Sequence, residues 1–132
     1  MNRYLLDTHL LLWALATPYR LHPAVATMFQ DEGAEVLFSP ASIWEVAIKA
    51  ALGRPDFTVD ADTLARAAIV SGFRELPIIS AATARVQRLP PIHNDPFDRI
   101  LVAQAIEASV ILLTADHLLP PYSPLVRRVP RT

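Results

Sequence analysis

Apolar and polar positions along this chain change period from segment to segment. Short continuous apolar runs, too short for helices, alternate with longer stretches of helical spacing. "RYLL" (3–6) and "EVLFS" (35–39) are such runs, and "VILLT" (110–114) is the clearest, with β-branched residues at its start. "FRELPI" (73–78) is a further strand candidate. "LVRRV" (125–129) is an expected edge strand in a tail broken by Pro120, Pro121 and Pro124. Between the runs the spacing predicts helices over 9–16, 23–32, 40–53, 61–70, 80–89 and 96–108. Gly33, Gly53 and Gly72 stop three of them. Ser39-Pro40 and Asp95-Pro96 each read as an N-cap followed by proline at the first helical position. Ser80 is a third candidate cap. In the helix 40–53, Trp44, Ala47, Ile48, Ala51 and Leu52 recur at i, i+3, i+4, i+7 and i+8, and are expected to form its buried face.

Strands alternating with helices predict an α/β fold, a parallel sheet covered on both faces. Such sheets gather ligands at the carboxyl ends of their strands. The 132 residues make one expected domain, 1–132, and the 52% apolar content suffices for a core. There is no cysteine, which removes disulfides, thiolate metal sites and cysteine nucleophiles. The formal charge of −1 argues against binding nucleic acid by bulk charge alone. "MNRYLLDTHLLLWALA" loosely resembles a signal peptide, but Asp7 and His9 interrupt it, and a strand leading into a helix explains it better. No run approaches the ~20 apolar residues of a membrane span. A cytoplasmic protein without a membrane partner is expected.

The candidate chemistry lies in the acids. Asp7 directly follows the first strand and Asp116 the "VILLT" strand, so both fall at carboxyl ends on one edge of the sheet. Asp7 also suits an N-cap, and Asp116 a turn. In "HNDPFDRI" (93–100), Asp95 is the natural cap and Asp98 stands at the third helical position. There Asp98 either opposes the helix dipole or points its side chain to the same edge as Asp7 and Asp116. Glu45 sits nearly two turns into its helix, too deep for a capping box if Ser39 is the cap. Such an acid needs a partner, either Lys49 at i+4 or a cation. Four carboxylates sharing one rim would repel each other, and a hard divalent cation relieves that repulsion. The four histidines lack paired-ligand spacing, and no phosphate-cradling glycine loop or nucleophile elbow is present.

"LLDTHLLLWAL", "SPASIWEVAIK", "LPPIHNDPFDRILVAQA" and "ILLTAD" together resemble the PIN-domain ribonucleases, in particular the VapC toxins of bacterial toxin–antitoxin pairs. The resemblance runs from about residue 3 to 118. It implies a three-layer fold with a central parallel sheet of about five short strands. It implies a Mg²⁺- or Mn²⁺-dependent endoribonuclease, a homodimer, and a cognate antitoxin that silences it. Asp7, Glu45, Asp98 and Asp116 fall on the family's acidic positions, as expected metal ligands and catalytic groups. Thr8 and Ser42 fall where small hydroxyl or amide residues stand near metal or phosphate, and both also suit helix caps. Asp95 matches the motif as a cap with a supporting role. Arg99 suits either phosphate or a salt bridge to a rim acid. The proline-rich tail departs from the pattern, in which a short strand follows soon after the last acid.

The expected reaction is hydrolysis of RNA phosphodiesters by metal-activated water. A PIN-like partner-binding subunit with weak or no nuclease activity is the alternative. An aspartyl phosphatase with Asp7 as nucleophile would need an aspartate two residues on, where this chain has His9.

Overall fold

Asp7 and Asp116 owe their proximity to a sheet in which two neighbouring inner strands come from opposite ends of the chain. The structure, a computed structural model, describes residues 2–130. Strands β1 (Asn2–Leu6), β2 (Ala34–Phe38), β3 (Arg74–Glu75), β4 (Ile111–Thr114) and β5 (Val126–Arg128) pair in the order β3-β2-β1-β4-β5, every pair parallel. Helices α1 (Thr8–Leu15), α2 (Pro23–Gln30), α3 (Pro40–Ala51), α4 (Ala61–Val70), α5 (Ser80–Arg85) and α6 (Pro96–Ala108) flank it. The expected three-layer PIN-like α/β architecture is what the chain forms.

The two-residue period of a strand builds two cores at once. Tyr4, Leu6, Val36, Phe38 and Leu113 face a layer with Leu10 and Leu11 of α1, Val25 of α2 and Leu64 and Ala68 of α4. Leu5, Leu37, Leu112 and Val126 face the other layer, with Leu101, Val102 and Ala105 of α6. This double burial is why the strands read as unbroken apolar runs. The edge strand β5 forms within the proline-rich tail, and Val126 pairs with Leu112.

Helix ends follow the expected chemistry in two of three cases. Ser39 accepts from the Ala41 N–H at 3.0 Å, and Asp95 from the Phe97 N–H at 2.8 Å. Ser80 is no cap: it is the first residue of α5, preceded by Ile79 without a side-chain cap bond. Gly53 and Gly72 take φ of +68° and +89°, the left-handed conformation that ends α3 and α4 at least cost. The expected strand 73–78 contracts to Arg74–Glu75, and the helix 80–89 ends at Arg85 with a 3-10 turn over Val86–Arg88.

The face of α3 is reversed. Trp44 is 63% exposed and Leu52 60%, and Ala47, Ile48 and Ala51 also lie outward. The buried side is Ala41, Ser42 and Val46. Small residues let α3 approach the sheet end and α1 closely. Ser42 counted as polar in the pattern, yet it is fully buried because it is hydrogen-bonded.

Leu101→Ala should cost ~2–5 kcal/mol in urea unfolding, as for a fully buried leucine. Leu52→Ala should stay within ~0.5 kcal/mol, as on a surface. Equal losses would contradict this assignment of the α3 face.

Candidate active site

The strand order turns direction between β1 and β4. From β1 the chain builds outward through β2 to β3, then returns to the other side with β4 and β5. The crevice beyond the carboxyl ends at such a switch point is where open α/β sheets bind ligands. Asp7 and Asp116 stand there, and the Asp7 N–H donates to the Leu113 carbonyl at 3.1 Å, tying the two strand ends together.

Asp7 is 3% exposed and uses each oxygen separately. Oδ1 accepts from the Leu10 N–H at 2.9 Å, capping α1, and Oδ2 accepts from the Thr114 hydroxyl at 2.6 Å. Asp116 likewise has two sides. Its Oδ1 accepts from the Leu118 N–H at 2.9 Å, a turn bond, while Oδ2 lies 3.2 Å from His93 Nε2. Both residues therefore have the ordinary role as well as the place on the rim.

In the first turn of α6, Asp95 caps the helix, which frees the Asp98 carboxylate. Asp98 Oδ2 lies 3.2 Å from the same His93 Nε2. Glu45 accepts from the Thr8 hydroxyl at 2.7 Å through Oε1 and meets Lys49 Nζ at 3.4 Å through Oε2. Thr8 Oγ1 is also 3.0 Å from Ser42 Oγ. With one proton each, Thr8 gives to the carboxylate and receives from Ser42. Neither hydroxyl caps a helix; they orient Glu45 from below.

Arg99 reaches neither the rim acids nor the crevice. Its guanidinium donates to the carbonyls of Pro90 at 3.0 Å and Val86 at 2.9 Å, and to the Tyr122 hydroxyl at 3.2 Å. The expected salt bridge to a rim acid is absent among the described residues, because carbonyls of the 86–93 loop occupy those donors.

Three site residues escape the sequence reading. His93 lacks histidine partner spacing, yet it sits inside "HNDPFDRI". Thr114 ends the strand before Asp116, and Tyr122 lies in the tail. Thr114 and Tyr122 meet the site only through residues far away in the chain, and His93 joins its near neighbours Asp95 and Asp98 to the distant Asp116.

The acids act on one another. Burial, first, pushes Asp98 up to about 7; Asp95 and Asp7 raise it further, His93 opposes, and Glu45 adds. Burial also raises Asp7, against the hydrogen bonds from Thr114 and Leu10 and the charge of His9, with Asp116 adding to the rise. The donor set is hard carboxylate oxygen with one imidazole beside it, and burial is under-compensated at Asp7 and Asp98. This chemistry fits a divalent cation such as Mg²⁺ or Mn²⁺. His93, Asp98 and Asp116 offer atoms all within 4.8 Å of one another.

A PIN-domain family model matches residues 4–120. Among curated proteins nothing matches the chain. Among solved structures, a chain of VapBC2 from Rickettsia felis bound to a promoter DNA fragment is 12% identical with a TM-score of 0.70, covering 98% of this chain and 99% of that one. A chain of DNA-bound VapBC from Salmonella typhimurium is 13% identical with a TM-score of 0.68, covering 98% of each. A chain of a toxin–antitoxin complex from Klebsiella pneumoniae is 17% identical with a TM-score of 0.63, covering 94% of this chain and 95% of that one. Identities this low show a shared fold.

A pKa of about 7 for Asp98 in the folded chain stands above the ordinary ~3.9 of an unfolded aspartate. Between those values the folded state holds a proton that the unfolded state releases, so metal-free stability should fall as pH rises from ~4 to ~7. Thermal melts in chelator across this range should show that decline, and Asp98→Asn should flatten it. An unaltered slope in the variant would assign the titration to another group.

Proposed function

The chain belongs to the PIN-domain family, and on that premise we propose that it is a divalent-metal-dependent endoribonuclease, the toxin of a toxin–antitoxin pair, acting in the cytoplasm. The observation that supports the reading is electrostatic: Asp98 feels the charges of Asp7 and Glu45, and Asp7 feels that of Asp116. Mg²⁺ or Mn²⁺ would supply an acidified water and positive charge near the phosphate oxygens. Asp7 and Asp98 would be the principal ligands, with Glu45 and Asp116 helping to hold the ion; of these, Asp98 and Asp116 already offer atoms within 4.8 Å of each other. Asp95 supports them by capping α6.

The remaining work is done by the chain. Thr114 fixes the Asp7 carboxylate, and Thr8 with Ser42 fixes Glu45. Water oxygen bonds to phosphorus, the bond to the 3′-oxygen breaks, and that oxygen leaves as a hydroxyl, so the other product carries a 5′-phosphate. No helix among the described residues is long and apolar enough to cross a membrane.

The outward apolar stripe of α3 supports the protein partners. Trp44, Ile48 and Leu52 are exposed on α3, and Ile69 and Val70 on the neighbouring α4. A groove beside Trp44, lined by Ile78, Val86, Phe97 and Ile100, continues that surface. Exposed apolar patches of this kind mark protein interfaces, and we assign them to a homodimer and a cognate antitoxin.

Purified, partner-free protein should cleave total RNA with Mg²⁺ or Mn²⁺ and stop on chelation. Asp7→Asn and Asp98→Asn should each lower the rate by at least ~100-fold, the upper end of the loss from disturbing even an outer partner of a metal ligand, with the fold retained. Metal binding without any cleavage by the wild type would favour the partner-binding alternative. In sedimentation the wild type should run as a dimer, and Ile48→Asp should shift it to monomer; an unchanged dimer would move the interface off α3.

A further inference from the structure

The His93 ring meets two of the rim carboxylates at once. Its Nε2 lies 3.2 Å from Asp98 Oδ2 and 3.2 Å from Asp116 Oδ2. Those aspartates come from different elements, the first turn of α6 and the turn after β4. On the opposite side of the ring, Nδ1 accepts from the Asp95 N–H at 3.3 Å. In the neutral ring one nitrogen accepts and the other carries the proton. The amide therefore selects the tautomer with hydrogen on Nε2, pointing between the two carboxylates.

The ring is held by its own backbone. The His93 N–H donates to the Tyr122 hydroxyl at 2.7 Å, and that hydroxyl donates back to the His93 carbonyl at 3.2 Å. Arg99 donates to the same hydroxyl at 3.2 Å and to the Pro90 carbonyl at 3.0 Å. Tyr122 thus accepts twice and donates once, its full capacity. Pro90, Pro91 and Pro96 flank the loop and Pro120 and Pro121 precede Tyr122, so fixed φ angles narrow the conformations on both sides of the clamp.

We propose that His93 is a positioning residue for the reaction, its Nε2–H holding Asp98 and Asp116 side by side so that both present to a single cation. This rests on the metal-dependent reading above. The three atoms lie within 4.8 Å of one another. The shared N–H draws the two carboxylates toward each other and so narrows the gap that one cation would have to bridge. Each carboxylate oxygen has a second lone pair, so the shared N–H leaves acceptor capacity on both. A direct ligand role for Nε2 would require moving its proton to Nδ1, where the Asp95 amide already donates. Arg99 and Tyr122 act through His93, which gives a function to the arginine beside the acid motif and to the proline-rich tail.

The test compares full-length wild type, His93→Ala, His93→Gln and Tyr122→Phe by Mn²⁺ titration, with imidazole ¹⁵N resonances of the wild type recorded with and without Mg²⁺. His93→Ala should weaken Mn²⁺ binding by ~10–100-fold, as for other residues that orient metal ligands. His93→Gln can keep an N–H near the Nε2 position and should recover most of that affinity. Tyr122→Phe should weaken binding less than His93→Ala. Nε2 should stay protonated in both wild-type spectra. Unchanged or tighter binding in His93→Ala overturns the proposal, as does loss of the Nε2 proton when Mg²⁺ is added. If His93→Ala fails to fold, ~10–100-fold weakening in His93→Gln together with no effect of Tyr122→Phe overturns it instead. A wild type that binds no Mn²⁺ defeats the parent reading, an outcome distinct from the others.

Discussion

Repulsion among carboxylates gathered where β1 and β4 end is the constraint on which the arrangement around them depends. Two like charges at ~4 Å cost on the order of 4 kcal/mol at an effective dielectric of ~20. A hydrogen bond to a charged group returns ~1.5–3 kcal/mol. One bond per acid therefore cannot hold the cluster closed, and the structure uses several. Asp7 has Leu10 N–H and Thr114, Glu45 has Thr8 and Lys49, Asp116 has Leu118 N–H and His93, and Asp98 has His93. Asp98 is the least supported of the four, and it is the acid whose pKa is pushed up to about 7.

Helix polarity adds to this. Because α1 and α3 each follow a parallel strand, and α6 leads into β4, all three begin at the strand ends where the acids collect. Their partially positive N-termini face the rim, worth ~0.3–1 kcal/mol each at the surface. That is smaller than the repulsion, so the dipoles moderate the field without cancelling it. The same geometry explains why capping and site roles coincide. Asp7 caps α1 with one oxygen and takes the Thr114 hydroxyl with the other, while Asp95 takes over the cap of α6 and leaves the Asp98 carboxylate free. At such a helix start the two readings are complementary, not rivals.

What the sequence makes legible is what local pattern controls. Strands buried on both faces announce themselves as unbroken apolar runs, and an acid directly after such a run is placed at a strand end without further knowledge. Asp7 and Asp116 are of this kind. The face of α3 is not, because apolar spacing identifies a stripe but not what covers it; the stripe at Trp44, Ile48 and Leu52 lies outward, and the sheet side is small and partly polar. β3 shrinks to two residues because pairing with the end of β2 sets its length. Thr114 depends on Asp7 at the other end of the chain, and His93 and Arg99 complete their local contacts with Asp116 and Tyr122, so no single window of sequence contains the whole reason for their positions.

The tail shows how a departure from a family pattern can be absorbed by the site. Its prolines break any helix after Asp116, and the Pro120–Tyr122 turn that results delivers the Tyr122 hydroxyl to the backbone of His93. Beyond it, the Val126 N–H bonds to the Ser123 carbonyl at 3.0 Å and β5 then runs beside β4. A flexible tail would leave the 86–93 loop held by Arg99 alone, and a long arginine side chain loses considerable rotamer freedom when it must fix a loop by itself. With φ restricted by proline within the loop and before the tyrosine, much of that ordering cost is met in the unfolded chain. The stiffness of the tail and the placement of the bridging imidazole are thus two consequences of the same prolines.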